Sequence, residues 1–238
     1  MYAIIEAARR TRVTPRSGPA QPGDVCGALA TVCQSDNYTV RHPSASPCPV
    51  GLHLCAATTT MATKASGRSG EKVSVLFVCL GNICRSTMAE GVFRSIVKDP
   101  SSPYYNLIGT VDSCGTGGYH TGDEPDSRTL STLRDHGITN YKHAARRLRD
   151  SDFRQFDYIF AMDLSNHSDL QRWRSRKKAE EKAQVVLFGE FSGTGRKETI
   201  QDPYYVGGDA FEKTYEQCRR FSENFLAATF PDVPRPTR

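Results

Sequence analysis

Residues 72–97 read KVSVLFVCLGNICRSTMAEGVFRSIV, and the order of residue types in this stretch decides the fold. From Val73 to Leu80 the chain is nearly continuously apolar, as a strand buried on both faces must be. Gly81 and Asn82 interrupt it. From Arg85 onward apolar residues recur at Met88, Ala89, Val92, Phe93 and Ile96, the spacing of one helical face. A strand that turns through a short loop into a helix is the repeating unit of a parallel α/β sheet. Such a loop aims several backbone N–H groups at one point, and the helix dipole adds partial positive charge there, so the stretch is suited to an anion.

The same alternation continues along the chain. Further apolar runs stand at 108–115, 157–163 and 184–191, beside a first run of 72–80. Helical patterns occupy 85–98, 125–136, 164–176 and 209–229, with Pro125 near one start, Gly137 past one end, and Phe211, Tyr215, Phe221, Phe225 and Leu226 along the last. The expected fold is α/β: a four-stranded twisted parallel sheet with helices on both faces and a phosphate-binding loop between the first strand and first helix. Ligands bind such sheets at the carboxyl ends of the strands, which is where Cys79 lies.

The chain before this pattern is different in kind. Residues 1–60 hold six of the 13 Pro and only two aromatics, Tyr2 and Tyr38, with no sustained period. Such a segment cannot bury enough apolar surface to offset its ordering entropy. The expected organisation is therefore an extension over 1–70, disordered, and a folded domain over 71–232. Met61 is a candidate alternative start. Five Arg against Glu6, Asp24 and Asp36 give the first 60 residues +2, so +3 of the net +5 belongs to the remainder. That is too mild to argue for nucleic acid, and the basic run RWRSRKK at 172–178 reads as a solvated helix end. The eight cysteines divide evenly about residue 60. Cys26, Cys33, Cys48 and Cys55 lack the close pairs of a structural zinc site; Cys79, Cys84, Cys114 and Cys218 are expected to remain thiols in a reducing compartment. No stretch approaches the roughly 18 apolar residues of a membrane span. The expected location is cytoplasmic, with a mitochondrial leader as the alternative reading of MYAIIEAARRTR.

The loop centres on a thiol rather than the Lys of a nucleotide-binding G-x-x-x-x-G-K-[ST] loop. Six residues after Cys79 comes Arg85, whose planar fork suits two oxygens of a phosphoryl group. A thiol at a helix N-terminus beside an arginine has its thiolate favoured by both, so Cys79 is the candidate nucleophile for whatever Arg85 holds. Leu80, Gly81, Asn82, Ile83, Cys84, Arg85 and Ser86 would wrap the phosphate, with the Ser86 hydroxyl donating to the thiolate and Asn82 tolerating unusual backbone angles. The competing reading is a buried Cys and a surface Arg at a plain strand–helix turn. Phosphoryl transfer also needs a proton donor for the leaving oxygen. QDPYYVGGDAFE at 201–212 puts Asp202 on the same rim, with Tyr204 and Tyr205 as an aromatic wall; an ordinary Asp-Pro turn is the alternative.

Taken together and in order, VLFVCLGNICRSTMAEGVFR, VDSCGTGGYHTGDEPDSR, LRDHGI, FDYIFAMDLSN and DPYY resemble the low-molecular-weight protein tyrosine phosphatases from about Val73 to Leu226. The resemblance implies Cys79 as nucleophile, Arg85 as clamp, and Asp202 as general acid and then base. It also implies that Asn82, Ser86, Ser113 and His143 support the loop and that Tyr119 and Tyr204 flank the substrate ring. His143 follows GITNYK, one residue longer than the family pattern. Asp163, Ser165 and Asn166 match another shared stretch, which by residue type reads only as a strand end and helix cap. The first 60 residues match nothing in the family.

The expected activity is metal-independent, cofactor-free hydrolysis of phosphotyrosine on proteins, and of small aryl phosphates, through a phosphocysteine. Partners are then tyrosine-phosphorylated proteins, without nucleic acid or membrane, and the chain is a monomer or weak homodimer. Arsenate reductases share the fold but relay electrons through further cysteines, for which only Cys114 and Cys218 are on offer. Phosphoarginine phosphatases carry Thr where this chain has Ile83. A phosphate-binding module without turnover would lack the nucleophile or the acid. Cys84 has two readings: a thiol that traps an oxidised Cys79 as a disulfide, or a small apolar residue packed under the loop. Because 1–60 lacks a core pattern, a chain beginning at Met61 is expected to keep the thermal midpoint and kinetic constants of the full chain. A lower midpoint would mean that the extension docks.

Overall fold

The computed structural model describes residues 71–176 and 182–235. The extension over 1–70, with its four cysteines and Met61, and the lysines 177–178 of the basic run lie outside the described residues. Four strands, β1 (Val73–Cys79), β2 (Ile108–Gly115), β3 (Tyr158–Ala161) and β4 (Gln184–Leu187), form one sheet in the order β2-β1-β3-β4. Every pairing is parallel, with Phe77 opposite Ser113 on one side and Phe160 on the other.

The near-continuous apolar run of β1 now has its reason. Strand alternation sends Val75, Phe77 and Cys79 into a core shared with α1 (Arg85–Val97), α2 (Ser127–Asp135) and α5 (Ala210–Thr229). Leu76 and Val78 point the other way, into a second core with α3 (Asp152–Gln155) and α4 (Leu164–Ser175). Both faces are covered, so both sets of side chains must be apolar. On α5 the residues Phe211, Tyr215, Cys218, Phe221, Phe225 and Leu226 are all buried, at the helical spacing read from the sequence. Asp126 and Asp163 cap α2 and α4 by accepting from Arg128 N and Asn166 N.

At the centre of the first core is Phe160. Its ring centroid lies 5.5 Å from Phe77, 5.0 Å from Phe188, 5.9 Å from Phe191 and 4.9 Å from Phe225. The two phenylalanines 188 and 191 reach it because the run 184–191 is not one strand. β4 ends at Leu187, and Phe188–Phe191 is a 3-10 turn. Gly189 permits the change: a Cβ there would sit 1.9 Å from the Glu198 carbonyl oxygen, and the Gly189 carbonyl accepts from Glu198 N at 3.1 Å. The returning chain therefore takes the place where β4 would continue. β3 likewise stops at Ala161, short of the expected 163, and releases Asp163 to cap α4. The one-turn helix α3 carries no sequence period long enough to announce it.

No helix among the described residues is long and apolar enough to cross a membrane. Phe160→Ala is expected to destabilise the fold by about 3–5 kcal/mol, because the fully buried ring leaves a cavity among aromatics that cannot collapse. Urea unfolding checks it through a lower midpoint at unchanged slope.

Candidate active site

β1 delivers Cys79 to the carboxyl edge of the sheet, and the chain curls from there into α1. Cys79 is 3% exposed. Its Sγ accepts from the Asn82 backbone N–H at 3.2 Å and lies 3.1 Å from Ser86 Oγ. Ser86 Oγ accepts from Asn82 Nδ2 at 3.0 Å, which leaves its own proton free for the sulfur. The first turn of α1 has neither a capping side chain nor an acidic residue, so the helix dipole acts on the loop undiminished.

Asn82 holds the loop in shape. It has φ of +60°, the only non-glycine residue in the left-handed region among those described. Its buried amide is fully engaged: Nδ2 donates to Ser86 Oγ and, at 2.9 Å, to Ser113 Oγ, while Oδ1 accepts from His143 Nε2 at 2.9 Å and Arg146 N at 2.8 Å. Behind it a buried carboxylate, Glu90 on α1, accepts from Ser113 Oγ at 2.7 Å and Tyr141 Oη at 2.9 Å, with His143 Nδ1 at 3.2 Å. Burial, and then the Glu90 charge, push the Tyr141 phenol far up, so it stays a donor. Arg146 is itself fixed by Asp112 on β2 and Asp152 on α3.

Arg85, 4% exposed, is gripped by two carboxylates. Nη1 pairs with Asp163 and Nη2 with Asp202 Oδ2 at 2.8 Å. Burial works against its charge, but Cys79, Asp202 and Asp163 outweigh burial, and the guanidinium is held more firmly protonated than an isolated one. Asp202 is also bound through Oδ1, which accepts from Tyr204 N at 3.1 Å.

These groups open into a pocket of about 420 Å³. Its buried residues include Cys79, Cys84 and Arg85; its exposed rim carries Leu80, Tyr119, Tyr204 and Tyr205. Gly81, Ile83 and Asp202 line it too. An anion-holding loop, a thiol at its centre, a fixed guanidinium and a carboxyl at the mouth can together bind a phosphoryl group, attack it and exchange a proton with its leaving oxygen.

The family profile described as low molecular weight phosphotyrosine protein phosphatase matches residues 74–233. The chain belongs to this family. The phosphatase of that name from Schizosaccharomyces pombe is 49% identical over 156 residues, covering 66% of this chain and 96% of the relative. The one from Gallus gallus is 44% identical over 158 residues, covering 66% and 96%. Among solved structures, the Drosophila arginine phosphatase superposes with a TM-score of 0.57 at 37% identity, covering 64% of this chain and 94% of that one.

In this phosphatase-family chain the thiol, the arginine, the loop residues 80, 81, 83 and 84, Asp202 and the three tyrosines expected from the sequence line the pocket, with Asn82, Ser86, Ser113 and His143 forming the layer behind; Ser165 and Asn166 lie outside it. Four contributors were not foreseen as such. By residue type Asp163 marks only a strand end and helix cap, yet its Oδ1 caps α4 while Oδ2 holds Arg85. Its position at the carboxyl end of β3, next to β1, is the signal that would have found it. Glu90, Tyr141 and Arg146 carry no such signal, because each lies inside a helix or loop with nothing in its neighbourhood to mark it. Glu90, Asp112 and His143 bring ligand-type atoms within 4.8 Å of one another, but hydrogen bonds and ion pairs already engage all three.

Cys84 is 5% exposed, and burial, with the Asp126 charge next, pushes its thiol up to about 12. It is a neutral thiol at physiological pH.

Two substitutions separate the parts Asn82 plays. Asn82→Gly removes the amide and keeps a backbone free to hold positive φ; Asn82→Ala removes both. The alanine variant is expected to be less stable than the glycine variant by about 1 kcal/mol, read by urea unfolding. Both should share a larger loss of stability and of turnover, from the four buried hydrogen bonds that the amide no longer makes.

Proposed function

We propose that this protein hydrolyses phosphotyrosine, on proteins and in small aryl phosphates, through a phosphocysteine, without metal or cofactor. The observation that carries the reading is the Cys79 sulfur held by Asn82 N–H and Ser86 Oγ beside a guanidinium fixed by two carboxylates. An entering phosphoryl group competes with Asp202 for Arg85 Nη2, while Asp163 keeps the guanidinium in plane. Cys79 attacks phosphorus: the S–P bond forms, the bond from phosphorus to the aryl oxygen breaks, and protonated Asp202 gives its proton to that oxygen. Asp202 then takes a proton from water, whose oxygen attacks phosphorus and releases the thiolate and inorganic phosphate. The loop N–H groups and Arg85 carry the charge of the equatorial oxygens, a task that a metal ion performs in other phosphatases. The aromatic rim of Tyr119, Tyr204 and Tyr205 suits a phenyl ring.

The likeness to the Drosophila arginine phosphatase supports a second substrate, phosphoarginine. Ile83 on the pocket wall, where the resemblance implies Thr for that substrate, favours the aryl ester. Cys114 and Cys218 are fully buried and outside the pocket lining, which disfavours an arsenate-reducing relay. Steady-state kcat/KM on a phosphotyrosine peptide is expected to exceed that on the matching phosphoarginine peptide; the reverse order would make phosphoarginine the substrate. Hydrolysis of para-nitrophenyl phosphate should be inhibited by vanadate and unaffected by chelator. Asp202→Ala should lose on the order of 10²–10⁴ in turnover of phenyl phosphate, and much less on an ester whose leaving group departs unaided. Equal losses would remove Asp202 from the acid role.

Peroxide is expected to convert Cys79 to a sulfenic acid, which Cys84 traps as a disulfide with release of water. Only the Cys84 thiolate attacks, and with its pKa near 12 the closing rate should rise about tenfold per pH unit through neutrality. In Cys84→Ser basal activity should largely persist while recovery by dithiothreitol after peroxide fails. Full recovery in that variant would leave Cys84 as a packing residue.

A further inference from the structure

The phosphate loop and the loop that carries Asp202 lie far apart along the chain, and beside the direct Arg85–Asp202 pair a second side chain ties them together. Asp126, at the start of α2, donates its backbone N–H to the Ile83 carbonyl of the phosphate loop at 2.8 Å. Its carboxylate takes Arg128 in a two-pronged grip, Nε to Oδ1 at 2.9 Å and Nη2 to Oδ2 at 2.8 Å. The third guanidinium nitrogen, Nη1, donates to the Tyr204 carbonyl at 3.2 Å. The Tyr204 N–H, on the same residue, donates to Asp202 Oδ1. The guanidinium also lies 5.2 Å from the centroid of the Tyr204 ring and 4.6 Å from that of Phe211 on α5.

We propose that Arg128 is a positioning residue for the proton transfer: through Tyr204 it sets where the Asp202 carboxyl stands relative to the phosphate loop. The inference rests on the assignment of Asp202 as general acid. Three features set this contact apart from an ordinary surface ion pair. The guanidinium is planar and held at three edges, so its orientation is fixed. One of its two anchors is bonded to the loop that binds the phosphate. The other is bonded to the residue whose N–H orients the acid. Arg128 touches neither the nucleophile nor Asp202, and with a side chain 46% exposed it adds little to the fold.

A residue that only stabilised the fold would slow all substrates alike; one that aims the acid slows those that need the acid. Arg128→Gln is therefore expected to lose on the order of 10- to 10²-fold in kcat on phenyl phosphate, within the full contribution of a general acid, and about threefold or less on an ester with an activated leaving group. Its thermal midpoint should stay near the parent's. Arg128→Lys keeps the charge without the planar fork and should recover only part of the loss. In an Asp202→Ala background Arg128→Gln should cost nothing further on phenyl phosphate. Equal losses on both esters, or losses that add in the double variant, would overturn the positioning role. The Asp202→Ala variant alone reads the assignment beneath it: if that variant loses equally on both esters, the acid assignment fails, whatever Arg128→Gln does.

Discussion

Everything at the active edge of this sheet depends on one amide. Asn82 stands in a backbone conformation that costs an L-residue about 1–2 kcal/mol, and it stays there because all four hydrogen-bonding positions of its side chain are filled. The left-handed turn points the Asn82 N–H at the Cys79 sulfur. The side chain orders the Ser86 hydroxyl that lies against the same sulfur. A single residue thus sets the loop's curvature, the hydrogen bonding of its thiol and the orientation of its neighbouring hydroxyl. Glu90, Ser113, Tyr141 and His143 exist in this arrangement to keep that amide from turning over.

The second constraint is charge. Arg85 is buried, and a buried guanidinium needs partners on each face of its fork. It has two, from different strands' ends: Asp163 beyond β3 and Asp202 beyond β4. One is positioned as a permanent holder, since it is tied to the start of α4. The other sits at the mouth of the pocket, where its Oδ1 accepts from Tyr204 N. The two carboxylates thus differ in how they are anchored, one to a helix start and the other to the backbone of its own loop.

The parts of this design that were legible in the sequence are those that lie close together along the chain. A strand, a loop and a helix in 26 residues gave the sheet type, the anion site and the thiol–arginine pair directly. Asp202 and its tyrosines were legible because a short, turn-rich segment follows an apolar run, and the aromatic stripe of α5 because helical spacing repeats. What was not legible depends on distant pairings. The ring of Phe160 gathers phenylalanines from 77 to 225, and the turn that brings two of them is permitted by Gly189, where Glu198 crosses behind it. Glu90 reads as a solvated helix residue until Ser113, Tyr141 and His143 converge on it from later in the chain. Asp163 was half legible: its capping role is local, while its hold on Arg85 needs β1 and β3 side by side.

The tie from Arg146 to Asp152 joins the two layers of the molecule. Arg146 gives its backbone N–H to Asn82 on the catalytic edge, and its side chain to a helix that packs on the opposite face of the sheet. The layer of α3 and α4 has the smaller of the two cores, with fewer large rings. A smaller apolar core gives that layer less to hold it on warming. Loosening of that layer would free Asp152, one of the two side-chain anchors of Arg146, so turnover should fall over a range of temperature in which most of the backbone is still folded. The working limit of the protein is then set by the face of the sheet that never meets the substrate.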